Sequence, residues 1–335
     1  MAYDRDSFLA GVSVGRNMKS WPVLTTGGNG LFALTIRVEE SASFPCSFPI
    51  GARYLDGTIK WGDGTTEHVV INTQGTKSHQ YAQPGIYQIV IVGKMVSLVL
   101  AQVAGGYWYP NVTIVSLDTP VPPIPPDWPE TRVMTPKLAT QGLSSIPDGF
   151  LDSFTSTPGK YADGLSYVFN GAWRLQAIPD GFFKNVKFSG WFTAERMFAD
   201  CGSLRYIPDD LFDFEGVEGL TSLREAFYTY QGGVRLTHQL SGDFLSKCTG
   251  LRSVNSAFRT GVFPEGIPLN LFDHCPNMTD FYGAFAGINL PQEAWNKPVP
   301  DLWNQFPNAV GTNCFSGWDM ASNYADIPAS WGGPT

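Results

Sequence analysis

Residues 267–287, IPLNLFDHCPNMTDFYGAFAG, hold the pattern that decides the fold. The stretch opens on Ile267-Pro268, passes the apolar pair Leu271-Phe272 and then Cys275, and closes on Phe285. Outward from it the same marks return. The closing phenylalanine has counterparts at Phe169, Phe198, Phe227, Phe258 and Phe315, spaced 29, 29, 31, 27 and 30 residues apart along the series. Apolar pairs precede them at Phe150-Leu151, Phe182-Phe183, Leu211-Phe212, Phe244-Leu245 and Leu302-Trp303. Ile-Pro recurs at Ile146, Ile178, Ile207 and Ile327, and the unit from Val234 to Phe258 lacks it. Independent marks that hold one phase over so many cycles predict stacked supersecondary units, none able to bury its apolar face alone.

The letters of one unit carry its physics. Proline after isoleucine fixes φ and removes a donor, so each Ile-Pro closes a strand or opens a short helix. The runs PDGFF (179–183) and PDDLF (208–212) then read as first helical turns, with acids at the positive end of the dipole. The segment leading into each marker phenylalanine reads as a short helix or turn against the next unit. Burying a phenylalanine contributes roughly 1.5–3 kcal/mol, so a ladder of them holds a stack with no metal or disulfide. The Ile-Pro, Leu-Phe, Cys and Phe marks together resemble the BspA-type leucine-rich repeats of bacterial surface proteins and their phage relatives. Over residues 143–328 the resemblance implies an α/β solenoid of leucine-rich-like repeats.

From Leu31 to Asp118 the period switches to two. LFALTIRV, GARYLDGTIKWG, TEHVVIN, GIYQIVIVG and NVTIVSL alternate or run apolar between Gly, Asn and Pro, as strands of a β-sandwich do. Within them stand Trp61-Gly62-Asp63-Gly64-Thr65, His79, Tyr81, Pro84-Gly85 and Tyr87. Gly-Asp-Gly makes a tight turn, Trp61 fills a core, Tyr81 and Tyr87 pack across it, and Pro-Gly reverses the chain. Asp63 bonding its own turn is the reading preferred over a cation site. This signature resembles the PKD domain, an immunoglobulin-like sandwich, over Leu31–Val92.

The domain plan that follows is an N-terminal anchor helix (1–24), a PKD/Ig-like sandwich (30–117), a linker dense in proline (118–136) and the repeats (137–335). In the anchor, Asp4 and Asp6 precede Phe8, Leu9 and Val12, with Gly11 and Gly15 spaced for close packing and Arg16 late, a charge order that suits the dipole. The same segment resembles N-terminal stretches of phage accessory and fibre-type proteins, which makes Phe8, Leu9, Gly11, Val12, Gly15 and Arg16 the expected assembly contacts. It lacks the apolar core of a secretory signal. A surface-type repeat with no export signal fits a virion protein released by lysis, and a shortened chain is the alternative.

A net charge of −8 leaves no basic patch to displace counterions from nucleic acid. Aromatic residues at 14% and charged ones at 16% argue for packed domains rather than disorder. No apolar run reaches the length of a membrane span. Five cysteines, an odd count with no CxxC pair, read as free buried thiols. The four histidines show no metal-ligand spacing, and no nucleophile or phosphate-loop motif is present, so neither enzyme activity nor a cofactor is expected. The acidic run Asp209, Asp210, Asp213, Glu215 and Glu218 reads as a solvated face rather than a calcium site.

The aromatic residues beside the markers are Trp173, Trp191, Tyr228, Tyr230, Tyr282 and Trp318, and of these Trp173, Tyr228, Tyr230, Tyr282 and Trp318 are the candidate ligand contacts. Rows of exposed rings bind sugars and protein patches. The expectation is a non-enzymatic structural and adhesive protein of a phage particle, at tail tip, fibre or capsid surface. It is oligomeric there, anchored by its N-terminus, and displays the repeats to a host-surface glycan or protein. A bacterial cell-surface adhesin of the same repeat type is the alternative, and a carbohydrate-active enzyme with two carboxylates meeting in space is the weaker one.

Overall fold

The computed structural model describes residues 30–40, 46–52, 54–72, 75–96, 99–100, 111–119, 137–138, 143–146, 150–151, 164–230, 234–287 and 296–335. The anchor residues Phe8, Leu9, Gly11, Val12, Gly15 and Arg16 lie outside these, as does most of the proline-dense segment.

Strands follow where the sequence alternates. The first sheet runs β4 (Thr66–Ile71), β3 (Tyr54–Lys60), β6 (Gly85–Val96), β1 (Gly30–Val38), β8 (Val112–Leu117), each pair antiparallel. The second runs β5 (Gly75–Tyr81), β2 (Cys46–Ala52), β7 (Val99–Leu100), β9 (Lys137–Leu138). Period-two alternation sends Leu34, Ile36, Leu55, Ile59, Ile89 and Ile91 inward from the first sheet. Phe48 and Ile50 of the second join them in the same buried cluster, the arrangement of a sandwich. Trp61 is buried just beyond β3, its indole N–H donating to Glu67 Oε1 at 2.8 Å. The Tyr81 hydroxyl donates to the Trp61 carbonyl at 2.9 Å and ties β5 to the end of β3.

The repeats are not an α/β solenoid. Among the described residues the only α-helix is α1 (Leu302–Gln305), beside three short 3-10 turns. The runs expected to start helices instead close single tight turns: the N–H of Lys184 donates to Gly181 O, Leu211 to Pro208 O and Leu271 to Pro268 O. Length explains the difference. Helix nucleation fixes several residues for one hydrogen bond, and these runs end at the next corner before propagation can repay it.

Units join through a ladder in which every second N–H points along the stack. The residues four before, two before and at each marker phenylalanine donate to the next unit. Thus Leu165, Tyr167 and Phe169 donate to Thr193, Glu195 and Met197, and Ala194, Arg196 and Phe198 to Ser222, Arg224 and Ala226. The same series continues from Leu223, Glu225 and Phe227 to Ser253, Asn255 and Ala257. Intervening N–H groups close local turns, as Ala226 does on Leu223 and Ala257 on Val254. This pattern requires left-handed backbone two residues before the marker, at Tyr167, Arg196, Glu225 and Ser256, with φ of 65°, 52°, 54° and 52°. Such angles are unfavourable for residues with a Cβ, and the ladder bonds on both sides hold them there. Short parallel pairings run beside it, β10 (Phe192–Thr193) on β11 (Leu220–Ser222) and then single bridges from Ser222 to Ser253, Asp280 and Val310 in turn. Glycine permits the approach at one corner: a Cβ on Gly219 or Gly250 would lie 2.1 Å from the carbonyl oxygen of Gly190 or Glu218.

The six marker phenylalanines form one column through the centre. Successive rings from Phe169 to Phe315 have centroids 5.4, 5.9, 5.3, 5.5 and 5.9 Å apart and planes within 10° of parallel. Parallel rings at that separation are slipped sideways, the offset their quadrupoles prefer. Ile178, Ile207, Ile267 and Ile327 are buried alongside. At the far end the chain closes the ladder on itself, Asn313 donating to Ser330 and Phe315 to Trp331. At the near end Phe150 lies between Phe169, at 6.1 Å, and Phe32 of β1, at 6.5 Å. All five cysteines are free and buried, and burial pushes the thiols of Cys201, Cys275 and Cys314 up. No helix among the described residues is long and apolar enough to cross a membrane.

Candidate binding surface

Two places gather polar chemistry: the Gly-Asp-Gly turn of the sandwich and the outer turns of the repeats. In the first, Asp63 Oδ1 accepts the N–H of Thr65 at 3.0 Å and its hydroxyl at 2.6 Å, while Oδ2 meets His79 Nε2 at 2.8 Å. The His79 ring stacks on Trp61 at 4.7 Å and 12°, and abuts Tyr81 edge-on at 4.8 Å. Burial alone would raise the Asp63 carboxyl; the bonds from Thr65 and His79 and the pull of the His79 charge outweigh it and hold it at about 2. Both carboxylate oxygens are thus committed within the fold. A depressed folded-state value stabilises above the unfolded carboxyl pKa, near ~3.9, and that stabilisation is lost as pH falls through about 2. Asp63→Asn is therefore expected to remove up to about 1 kcal/mol of stability at neutral pH, because solvent screens bonds made at an exposed turn, and to flatten the acid limb of an unfolding curve followed by circular dichroism. An acid midpoint and slope identical to those of the parent chain would refute the assignment.

The acidic run of the repeats disperses rather than converging. Asp209 accepts the N–H of Ser241, Asp210 that of Gly181, Asp213 pairs with Lys247, and Glu215 pairs with Lys187. Each bond crosses to a neighbouring unit, so the carboxylates fasten the stack. Among the described residues no three His, Cys, Asp or Glu side chains come together as a metal site. A space of about 110 Å³ opens beside β1, β6 and the end of β8. The Asp118 carboxylate there is already taken by Thr35, Gln88 and Ser116.

The structure separates the candidate aromatics. Trp173, Tyr230 and Tyr282 are exposed and Tyr228 half-buried. Trp318 is 1% exposed and belongs to the core, its indole N–H donating to the Phe285 carbonyl at 2.9 Å. It stands three residues after a marker phenylalanine. Cys201 stands at the equivalent position, points the same way and gives its thiol to the Phe169 carbonyl at 3.3 Å. The exposed rings fall at different phases of the repeat, so they do not form one row of equivalent positions. What the fold does gather is a corner: Tyr228 and Tyr230 meet at 5.9 Å and 65°, with Tyr230 83% exposed. The Arg259 guanidinium lies 5.9 Å from the Tyr228 ring centre.

No family model matches the chain, and a search of curated proteins found no match.

Two further exposed aromatics are Trp191, which the sequence marks as a ring beside the repeats without placing it among the contacts, and Tyr167, which it does not mark. Each carries an arginine, Arg196 over Tyr167 at 5.9 Å and Arg252 over Trp191 at 4.9 Å. In both pairs the two residues come from different units. A ladder register is needed to bring them together, and neither sits next to its partner in sequence. Chemically, the surface offers flat apolar faces with hydroxyl or indole edges and guanidinium groups held over them.

Proposed function

We propose that the chain is a non-enzymatic adhesive and structural protein, with the repeat stack as a rigid frame and the Tyr228–Tyr230 corner as its principal ligand contact. The observation that carries this reading is Tyr230, a large ring 83% exposed, on a frame whose centre is a continuous phenyl column. Rigid aromatic contacts lose little rotamer freedom on binding, which is why few of them supply much of an interface's affinity. The resemblance of the repeats and of the N-terminal segment to phage proteins supports a place on a virus particle, with residues 1–24 as the attachment end and host-surface glycan or protein as the target.

Tyr230→Ala tests the reading. The side chain is exposed, so folding stability should change by under about 0.5 kcal/mol. Attachment of the purified protein to a panel of bacterial cells, measured by fluorescence, is expected to fall about tenfold or more, as for a central aromatic contact. Undiminished attachment by a folded Tyr230→Ala protein would remove the corner from the interface.

A further inference from the structure

Ring–arginine pairs occur twice at matching phases on consecutive units, and only one of them is complete. Two residues before the markers, successive units place Tyr167, Arg196 and Glu225 in one row. Arg196 stands 5.9 Å from the Tyr167 ring centre, and its Nε donates to Glu225 Oε2 at 2.6 Å. Ring, guanidinium and carboxylate follow one another at one-unit intervals. One residue after the markers, the row reads Tyr228, Arg259 and Ala286. Arg259 again stands 5.9 Å from the tyrosine ring centre. The third place, where the first row has a carboxylate, is held by a methyl group. No carboxylate lies in ion-pair range of Arg259 among the described residues, whereas Arg196 is neutralised by Glu225.

We infer that a ligand supplies the missing carboxylate, and that the ligand is an acidic sugar, a uronic or comparable carboxylate-bearing pyranose at a chain end. This rests on the reading of the Tyr228–Tyr230 corner as the binding contact and names its ligand class. Guanidinium is a planar fork that matches carboxylate in a two-pronged geometry and keeps its affinity while lying against a ring. Tyr230 offers an exposed plane for the C–H face of the sugar, and the inclined Tyr228 is the ring that meets both it and the arginine. Size argues for a sugar over a protein partner. A stable protein interface needs about 800 Å² from each side, and two rings with one arginine match a single pyranose.

Charge narrows the class further. The chain carries a net charge of −8, so an extended polyphosphate or nucleic acid would run onto acidic ground beyond the site. The one acid bonded at the corner, Asp200, has a carboxylate oxygen committed to the Tyr230 N–H at 2.9 Å, and charges farther off are screened over about 8–10 Å, so a ligand with one carboxylate feels chiefly the guanidinium it touches.

The test uses the full chain and two matched probes, oligosaccharides ending in glucuronate and the same chains ending in glucose, titrated by calorimetry at fixed salt. The acidic form is expected to bind at least about tenfold more tightly. Arg259→Met should erase that difference while leaving the fold and the weaker neutral binding. Equal affinity for both probes in the parent chain, or an acidic preference that survives Arg259→Met, would overturn the inference. So would a tighter fit to an acidic peptide than to either sugar, although that result leaves the corner itself standing as a contact. The corner is judged separately by Tyr230→Ala on cells.

Discussion

Phe227→Ala is expected to lower folding stability by about 3–5 kcal/mol and to divide the repeat stack into two segments that unfold at different denaturant concentrations. The ring stacks on Phe198 at 5.9 Å and on Phe258 at 5.3 Å, and lies 6.5 Å from Phe244, so its removal opens a gap bounded by three aromatic faces. The units are joined one to the next, and stability in such an array is close to a sum of unit and interface contributions. Loss at one interface is therefore felt on both sides of it and little beyond. Phe315→Ala makes the comparison: that ring has one stacked neighbour, Phe285, and is packed otherwise by Trp303 and Trp318. Its loss should fray the C-terminal end without dividing the stack. Hydrogen exchange along the ladder distinguishes the two outcomes, since the N–H groups of Phe198 and Phe258 report on opposite sides of position 227. A penalty under about 1 kcal/mol for Phe227→Ala would mean that the column is not what holds the units.

How much of this was legible beforehand depended on whether one unit or two had to be read. Burial is written within a unit: the marker phenylalanines, the Ile of each Ile-Pro and the repeat cysteines are all inside, as their apolar character and recurrence imply. So are the strands, because period two is local. Backbone conformation between those marks was not legible, because left-handed angles at Tyr167, Arg196 and Glu225 lack the glycine that ordinarily announces them. Cross-unit bonds impose those angles, and the same bonds leave too few residues between corners for helices. Trp318 shows a signal that was only half present in the sequence. Three residues after a marker stand both the buried Cys201 and Trp318 and the exposed Tyr230, so the count narrows the choice, and the bond to the preceding unit's phenylalanine carbonyl, made by Cys201 and Trp318, decides it. The arginine–ring pairs needed the register itself, since Tyr228 and Arg259 are neighbours only once one unit is laid on the next.

Phe150→Ala is expected to cost about 3–5 kcal/mol and to turn one cooperative transition into two, sandwich and repeats melting apart. A segment dense in proline between residues 118 and 136 argues for two bodies on a hinge, which would melt independently in the parent chain. Packing argues otherwise. Phe150 is fully buried, with Phe32 of β1 on one side at 6.5 Å and Phe169, the first ring of the column, on the other at 6.1 Å. Buried residues of both sheets and of every unit belong to one continuous cluster, and β9, just after the proline-dense segment, pairs with β7 in the second sheet. A ring in that position conducts stability between the two parts, because unfolding either one exposes a face of it. Calorimetry with exchange read separately on residues 30–96 and 164–330 follows both parts at once. The parent chain should lose protection in both together, and Phe150→Ala should let the repeats go first, since their turn-built units lack the wide antiparallel pairing of the sandwich. Two separate transitions already present in the parent chain, and unmoved by the substitution, would restore the hinge and leave Phe150 an ordinary core residue.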